Sequence, residues 1–265
     1  MIREIQHMPT RNRVWLNGAG LQDIDPCIHV HDINYGAPGI TTQTVEHARH
    51  HGARVTRQRM GSSTVSVVFT VREYDITTRQ EILNRVAAWA MTGGVLTTDD
   101  RPGQRLHVVC TTPPSVQSSL RWTAQQTLVF TAFDNPFWED MTPKFRTLTG
   151  THDEGILYGA GAAADPFVTA RVEATADITA LTLTVGGTHF TFSGISVEAG
   201  EALVIAYDET HTLKVYNEDT NVSYLSKRTA DSHDDLMLPR GQFGNVSFSA
   251  DGNATVTFEV RGLYL

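Results

Sequence analysis

At 265 residues the chain is long enough for two ordinary domains, at roughly 100–200 residues each. With 40% hydrophobic and 19% charged residues, it has the composition of a folded soluble protein and not of a disordered one. A formal net charge of −8 argues against general nucleic-acid affinity, which needs a basic footprint, but leaves a local basic patch open.

Arg3, Glu4 and His7 leave no apolar signal core at the start of the sequence, and the most apolar short run, 65–71, is far too short to span a bilayer. Cys27 and Cys110 lack metal-type spacing, which suits folding in a reducing cytosol. In chain order, Trp15 to Gly18 reads as a strand entering a turn. Residues 27–33 read as a second strand, with Ile28 and Val30 on one face and His29 and His31 on the other. Val65, Val67, Phe69 and Val71 alternate strongly, and Val68 interrupts the polar face, so that strand is half-buried or fully buried.

A helix follows. Thr78 and Glu81 have capping-box spacing, and Ile82, Leu83, Val86, Trp89 and Ala90 recur on one stripe. Gly93 and Gly94 supply a left-handed stop, and Trp89 is the expected core anchor of the stripe. Strands resume at 94–97 and 105–111 around a turn at 99–103, and a long strand is expected over 120–133. One helix among antiparallel-type strands makes the first domain α+β.

Residues 142–165 carry Gly150, Gly155, Gly159 and Gly161 with Ala160 and 162–164, and read as a Gly/Ala-rich linker. The expected division is therefore 1–141 and 142–265. Beyond Pro166 every patterned segment is strand-like, and Gly186-Gly187 between two alternating runs marks a hairpin. Regularly spaced short strands without a helix indicate a β-sandwich.

Several residues invite a chemical reading. His29 and His31 could form two legs of a metal site, with His50 or His51 as a third, but a polar strand face accounts for the pair and no metal or cofactor is expected. Asp99-Asp100, Glu139-Asp140 and Asp234-Asp235 could suggest paired carboxylates. Adjacent acids on a strand point to opposite faces, however, and those in turns are usually solvated. Ser62-Ser63 and Ser118-Ser119 have no identifiable base, and no nucleophile elbow, P-loop or zincin pattern occurs. An enzyme is not expected.

Three stretches together resemble the distal tail protein family of siphophages. They are the helix and following turn (Glu81 through Trp89, then Asp100-Arg101-Pro102-Gly103), the run Leu128 to Trp138 with its Asp134-Asn135-Pro136-Phe137-Trp138 end, and Leu236-Met237-Leu238-Pro239 leading to the closing strand at 256–260. The turn at 239–245 is longer than the family's compact form. The resemblance implies a mainly β protein: a β-sandwich-like first domain with one helix and a hairpin arm, then a galectin-like β-sandwich. It also implies a homo-hexameric ring in the tail tip of the virion, assembled in the host cytoplasm. Its partners would be the tail tube protein and a tail-tip or receptor-binding protein, with no membrane partner and with DNA passing the lumen without specific binding.

The arm is placed at 37–60. Residues 47–60 hold Arg49, Arg54, Arg57 and Arg59 and no acid, so they carry +4 while the rest of the chain carries −12. Residues 41–45 and 53–59 can pair around a tip near His50-His51-Gly52, with Arg57 and Arg59 on one face. A solvated hairpin would explain the charge, but the family's arm makes these four arginines the expected subunit contact. The galectin-like reading raises an alternative: a carbohydrate-binding adhesin using Tyr207, Tyr216 and Tyr224 as a platform, although aromatics on alternating strands are more often core.

Overall fold

The computed structural model describes residues 12–46, 53–115, 125–208 and 211–265. They are mainly β, with one α-helix among the described residues, as expected. Two compact units result: unit 1 is Met1–Trp138 with Leu265, and unit 2 is Glu139–Tyr264.

Unit 1 begins with β1 (Val14–Leu16) and β2 (Ala19–Gly20), joined by Asn17 and Gly18, both at positive φ as a tight hairpin turn requires. There follow β3 (Ile28–Gly36), β4 (Ile40–Glu46), β5 (Ala53–Met60), β6 (Ser63–Val71), α1 (Ile76–Met91), β7 (Gly94–Thr98), β8 (Gln104–Thr112) and β9 (Gln126–Ala132). The strand expected from residue 120 is thus seen from Gln126, residues 116–124 lying outside the described ones. One sheet runs β3-β6-β9-β8 and a second runs β8-β7-β1-β2. β8 belongs to both, pairing with β7 through Leu106 to Val108 and with β9 from Val109 onward.

β6 lies between β3 and β9, so none of its residues is exposed and Val65, Val67, Phe69 and Val71 are fully buried. β3 departs from simple alternation. A bulge at His31 separates Val30, paired with Phe69, from Asp32, paired with Val68. The extra residue shifts the phase, which is why Ile33 joins Ile28 in the core.

The helix starts two residues before Thr78. Asp75, in extended conformation, is the cap, and its Oδ2 accepts from the Thr78 N–H (2.7 Å) and the Thr78 hydroxyl (2.8 Å). The capping box expected at Thr78 and Glu81 is therefore displaced: Thr78 is the third helical residue, whose amide points at the capping carboxylate. Ile82, Leu83, Val86 and Ala90 form the buried stripe, extended by Arg79. Trp89 does not anchor that stripe from within. It is half-buried, with its ring edge on Phe130 (centroids 6.0 Å apart) and its Nε1–H donating to Ala19 O (3.0 Å).

β10 (Trp138–Asp140) carries the chain into unit 2, which contains β11 (Lys144–Gly161), β12 (Val168–Ala174), β13 (Ile178–Val185), β14 (Thr188–Val197), β15 (Ala202–Tyr207), β16 (Leu213–Asn217), β17 (Gly241–Val260) and β18 (Leu263–Tyr264). The first parts of β17 and the last of β11 make a sheet with β13 and β14; the remaining parts make another with β12, β15 and β16. Both long strands pass from sheet to sheet at a register break between Gly150 and His152. The Asp251 carboxylate secures this corner by accepting from the Thr179 and Ala180 amides (2.9 and 3.0 Å). Phe190, Phe192, Phe248 and Phe258 fill the core with Leu148 and Leu157. Gly186-Gly187 turns the β13–β14 hairpin as expected.

The linker reading of 142–165 is corrected by β11. Gly155 and Gly159 serve close approach instead of chain freedom: a Cβ at Gly155 would lie 2.5 Å from Arg146 Nε and 3.0 Å from Leu148 Cδ2. A Cβ at Gly159 would lie 2.5 Å from Lys144 Cγ, so the two ends of β11 pack over one another.

Candidate assembly surface

The arm is built from β4 and β5, which form a two-stranded sheet bonded to neither of the sheets of unit 1. β-branched residues dominate β4, and its root is closed by the Gly61 N–H donating to Gly39 O (2.7 Å). Ile40 pairs with Met60, Thr41 with Arg59 and Gln43 with Arg57. Thr56 is then bulged out, its hydroxyl bonding back to Gln43 O (3.1 Å), and Thr44 pairs with Val55 and Val45 with Arg54.

The bulge sets the chemistry of the arm. Arg54 and Arg57 are three residues apart and would fall on opposite faces of a regular strand. With Thr56 looped out, the backbone position of Arg54 comes into phase with those of Arg57 and Arg59, opposite Val45, Gln43 and Thr41. The other face carries Ile40, Val55 and Met60, which are 59%, 55% and 40% exposed. Arg57 and Arg59 are also exposed. Arg49, His50 and His51 lie outside the described residues, as does the side chain of Arg54. The register thus puts the arginine positions with Thr41, Gln43 and Val45 on one face of the hairpin, and Ile40, Val55 and Met60 with Thr42 and Thr44 on the other. The grouping of Ile40, Val55 and Met60 on one face is not legible in the sequence, because the bulge breaks the alternation. An isolated two-stranded hairpin is at best marginally stable in water, so this one gains by being covered.

The other sequence candidates are dispersed. His29 stands opposite Thr70, and His31, at the bulge, shares a hydrogen bond between its Nε2 and Thr70 Oγ1 (2.9 Å). Burial, with Arg72 and His31 nearby, holds the His29 pKa down. Among the described residues no group of three or more His, Cys, Asp or Glu gathers in a metal-holding arrangement. Asp99 Oδ1 accepts from the Arg13 amide (2.7 Å), and Asp140 Oδ2 accepts from the Gly262 amide (3.2 Å). Burial beside Asp234 raises the Asp235 carboxyl, while Arg228 reaches the main-chain oxygen of Asp234 (3.0 Å). Ser62 is exposed at the arm root, Ser63 is buried, and Ser118 and Ser119 lie outside the described residues. Cys27 and Cys110 are both free thiols.

The three tyrosines do not share a platform. Tyr224 is buried. Tyr207 packs its ring on Phe167 (4.6 Å), accepts from the Leu236 amide (2.7 Å) and has its phenol pKa raised by burial. Tyr216 is half-buried on β16, in register with Val204.

No protein-family model matches the sequence, and no curated protein matches it. Among solved structures, the chain is similar to the phage SPP1 Dit protein (gp 19.1), described as a paradigm of the hub adsorption apparatus in phages infecting Gram-positive bacteria. The TM-score is 0.68 at 12% identity, over 94% of this chain and 98% of that one. The chain therefore has the SPP1 Dit fold. Two structures of the phage P2 baseplate in its activated conformation, with Ca and with Sr, match at TM-scores of 0.44 and 0.43 and identities of 7% and 8%. The first covers 89% of this chain and 90% of that one, the second 94% and 97%.

Proposed function

We propose that this chain is a structural, non-enzymatic subunit of a phage tail tip, of the distal tail type. The observation that carries this is the sharing of one fold with SPP1 Dit along nearly the whole of both chains. Six copies close into a ring that joins the tail tube to the tail-tip or receptor-binding apparatus, and the lumen lets DNA through without specific binding. Ring closure uses heterologous contacts, in which one surface of a subunit meets a different surface of the next. The arm supplies such a surface: its arginines oppose the −12 of the remaining chain, and its other face offers the exposed Ile40, Val55 and Met60 for burial.

Solution mass tests the ring. An assembly of six times the subunit mass of 29.2 kDa, seen as rings by negative stain, is expected; a monomer at high concentration, with and without tail partners, refutes it. Exposed ion pairs are worth only ~0.2–1 kcal/mol each, so single arginine changes do little. Replacing Arg49, Arg54, Arg57 and Arg59 together by Glu is expected to leave strand content unchanged and abolish rings. A quadruple variant that assembles like the parent at low and moderate salt makes the arm a bystander.

A further inference from the structure

A pocket of about 250 Å³ opens in unit 1 at the root of the arm. Its walls come from both feet of the arm, with Tyr35 and Pro38 on the way out and Ser63 on the way back, and from Arg101, Trp138 and Leu265. The Arg101 guanidinium lies over the Tyr35 ring (4.6 Å to its centroid) and the Trp138 ring (5.0 Å), and the two rings meet edge to face at 5.6 Å. Arg101 Nη1 donates to the main-chain oxygen of Leu265 (2.5 Å). Tyr35 Oη is already engaged by Thr98 Oγ1 (2.9 Å) and Asp100 Oδ2 (3.3 Å), so that ring is fixed.

Ser63 is the anomaly. It is 5% exposed, lines the pocket, and its Oγ has no hydrogen-bond partner. Leaving a buried hydroxyl unpaired is costly, and proteins rarely tolerate it without water, a ligand or a function to explain it. Water alone would satisfy the hydroxyl, but it gives no reason for a guanidinium lying over two aromatic rings in the same cavity. Arginine presents five N–H donors in a planar fork suited to a carboxylate. Asp100 close by offsets part of its charge, which disfavours a doubly charged phosphate. The aromatic and proline walls favour an apolar stem.

We propose that this pocket binds a carboxylate on a short apolar stem, such as a glutamate side chain on another protein segment. Arg101 holds the charge, Tyr35 and Trp138 flank the stem, and Ser63 donates to a carboxylate oxygen. An occupant touching both feet of the arm fixes the arm's angle to its sheet.

The test is a titration of the isotope-labelled full chain, followed through the Trp138 indole and Ser63 amide resonances. The ligands are the capped tripeptide Ac-Ala-Glu-Ala-NH2, its Gln counterpart and propionate. Saturable shifts are expected with the Glu peptide, with the Gln peptide at least about tenfold weaker, as loss of a charge-assisted bond implies. Ser63→Ala removes an unpaired hydroxyl and so keeps the fold; it is expected to weaken Glu-peptide binding about threefold or more. Propionate binding as well as the Glu peptide supports the site with a free small carboxylate as its source, whereas a preference for the peptide supports a protein segment. Equal binding of the Glu and Gln peptides, absence of saturable shifts up to about 20 mM, or parental binding by Ser63→Ala overturns the proposal.

Discussion

Replacing Gly161 by Ala separates two accounts of the glycine-rich stretch at 142–165. If these glycines only loosened a linker, alanine would restrict the unfolded chain and stabilise the protein by ~0.4–1 kcal/mol. The structure dictates the opposite. Gly161 has φ +74, where a side chain costs roughly 1–2 kcal/mol. A Cβ there would also lie 2.3 Å from Leu263 O and 2.4 Å from Leu263 N, main-chain atoms that cannot swing aside. Forcing that contact adds about 1–3 kcal/mol of overpacking, for a total of about 2–5 kcal/mol. With a urea slope of about 1–3 kcal/mol per molar, the unfolding midpoint of the signal from unit 2 should fall by about 0.7 M or more. Gly187→Ala is the control: nothing lies within 4 Å of its would-be Cβ, and its midpoint should stay within about 0.5 M of the parent. A Gly161→Ala midpoint equal to or above the parent's would refute the packed-strand account.

Acid unfolding should be blunted in Asp251→Asn. Hydrogen bonds from Thr179 and Ala180 hold the Asp251 carboxyl below its ordinary value, so its contribution is complete above about pH 4 and is lost as pH falls through the lowered folded value. The variant, measured by urea unfolding, should be weaker than the parent near neutrality and should lose less on acidification; a parallel pH dependence would count against the corner bond. Trp89→Phe keeps a ring against Phe130 but deletes the bond to Ala19 O, and should cost roughly 0.5–1.5 kcal/mol in the unfolding of unit 1. A loss of several kcal/mol would restore Trp89 as the main anchor. Phe248→Ala, in the core of unit 2, should cost about 3–5 kcal/mol, and a loss below 1 kcal/mol would mean that the core is loosely packed.

The regular parts of the fold were legible because they depend on local periodicity. Val65 to Val71 alternate and are buried in alternation, and Gly186-Gly187 turns a hairpin where its neighbours alternate on either side. What escaped the sequence depends on single extra residues or on distant partners. The bulges at His31 and Thr56 each shift the phase of a strand by one, and no residue type there announces it. At the helix start, Thr78 had the right spacing to Glu81, but Asp75 is a stronger capping acceptor one turn earlier. The glycines of β11 look like a linker because their reason is a close approach that no local pattern records: Gly161 to the main chain of Leu263, and Gly155 and Gly159 to the Arg146 and Lys144 side chains near the start of the same strand. The position of the arm is legible from its charge and the family resemblance, while the grouping of Ile40, Val55 and Met60 on one face follows only from the register. The tyrosines of unit 2 carry no mark in the sequence that distinguishes a ring bonded inward, as at Tyr207, from one offered to a ligand.

The sharing of β11 and β17 between the two sheets of unit 2 has a mechanical consequence. In a sandwich whose sheets own separate strands, one layer can peel away while the other stays paired. Here each layer is stitched to the other by two continuous stretches of backbone, with Phe248 and Phe258 on the same strand but in opposite layers. Opening either layer therefore drags hydrogen bonds out of its neighbour, and partial unfolding gains little freedom before it forfeits the whole core. A load applied along β17 is carried by covalent bonds through the corner at Asp251, so unit 2 should yield all at once or not at all.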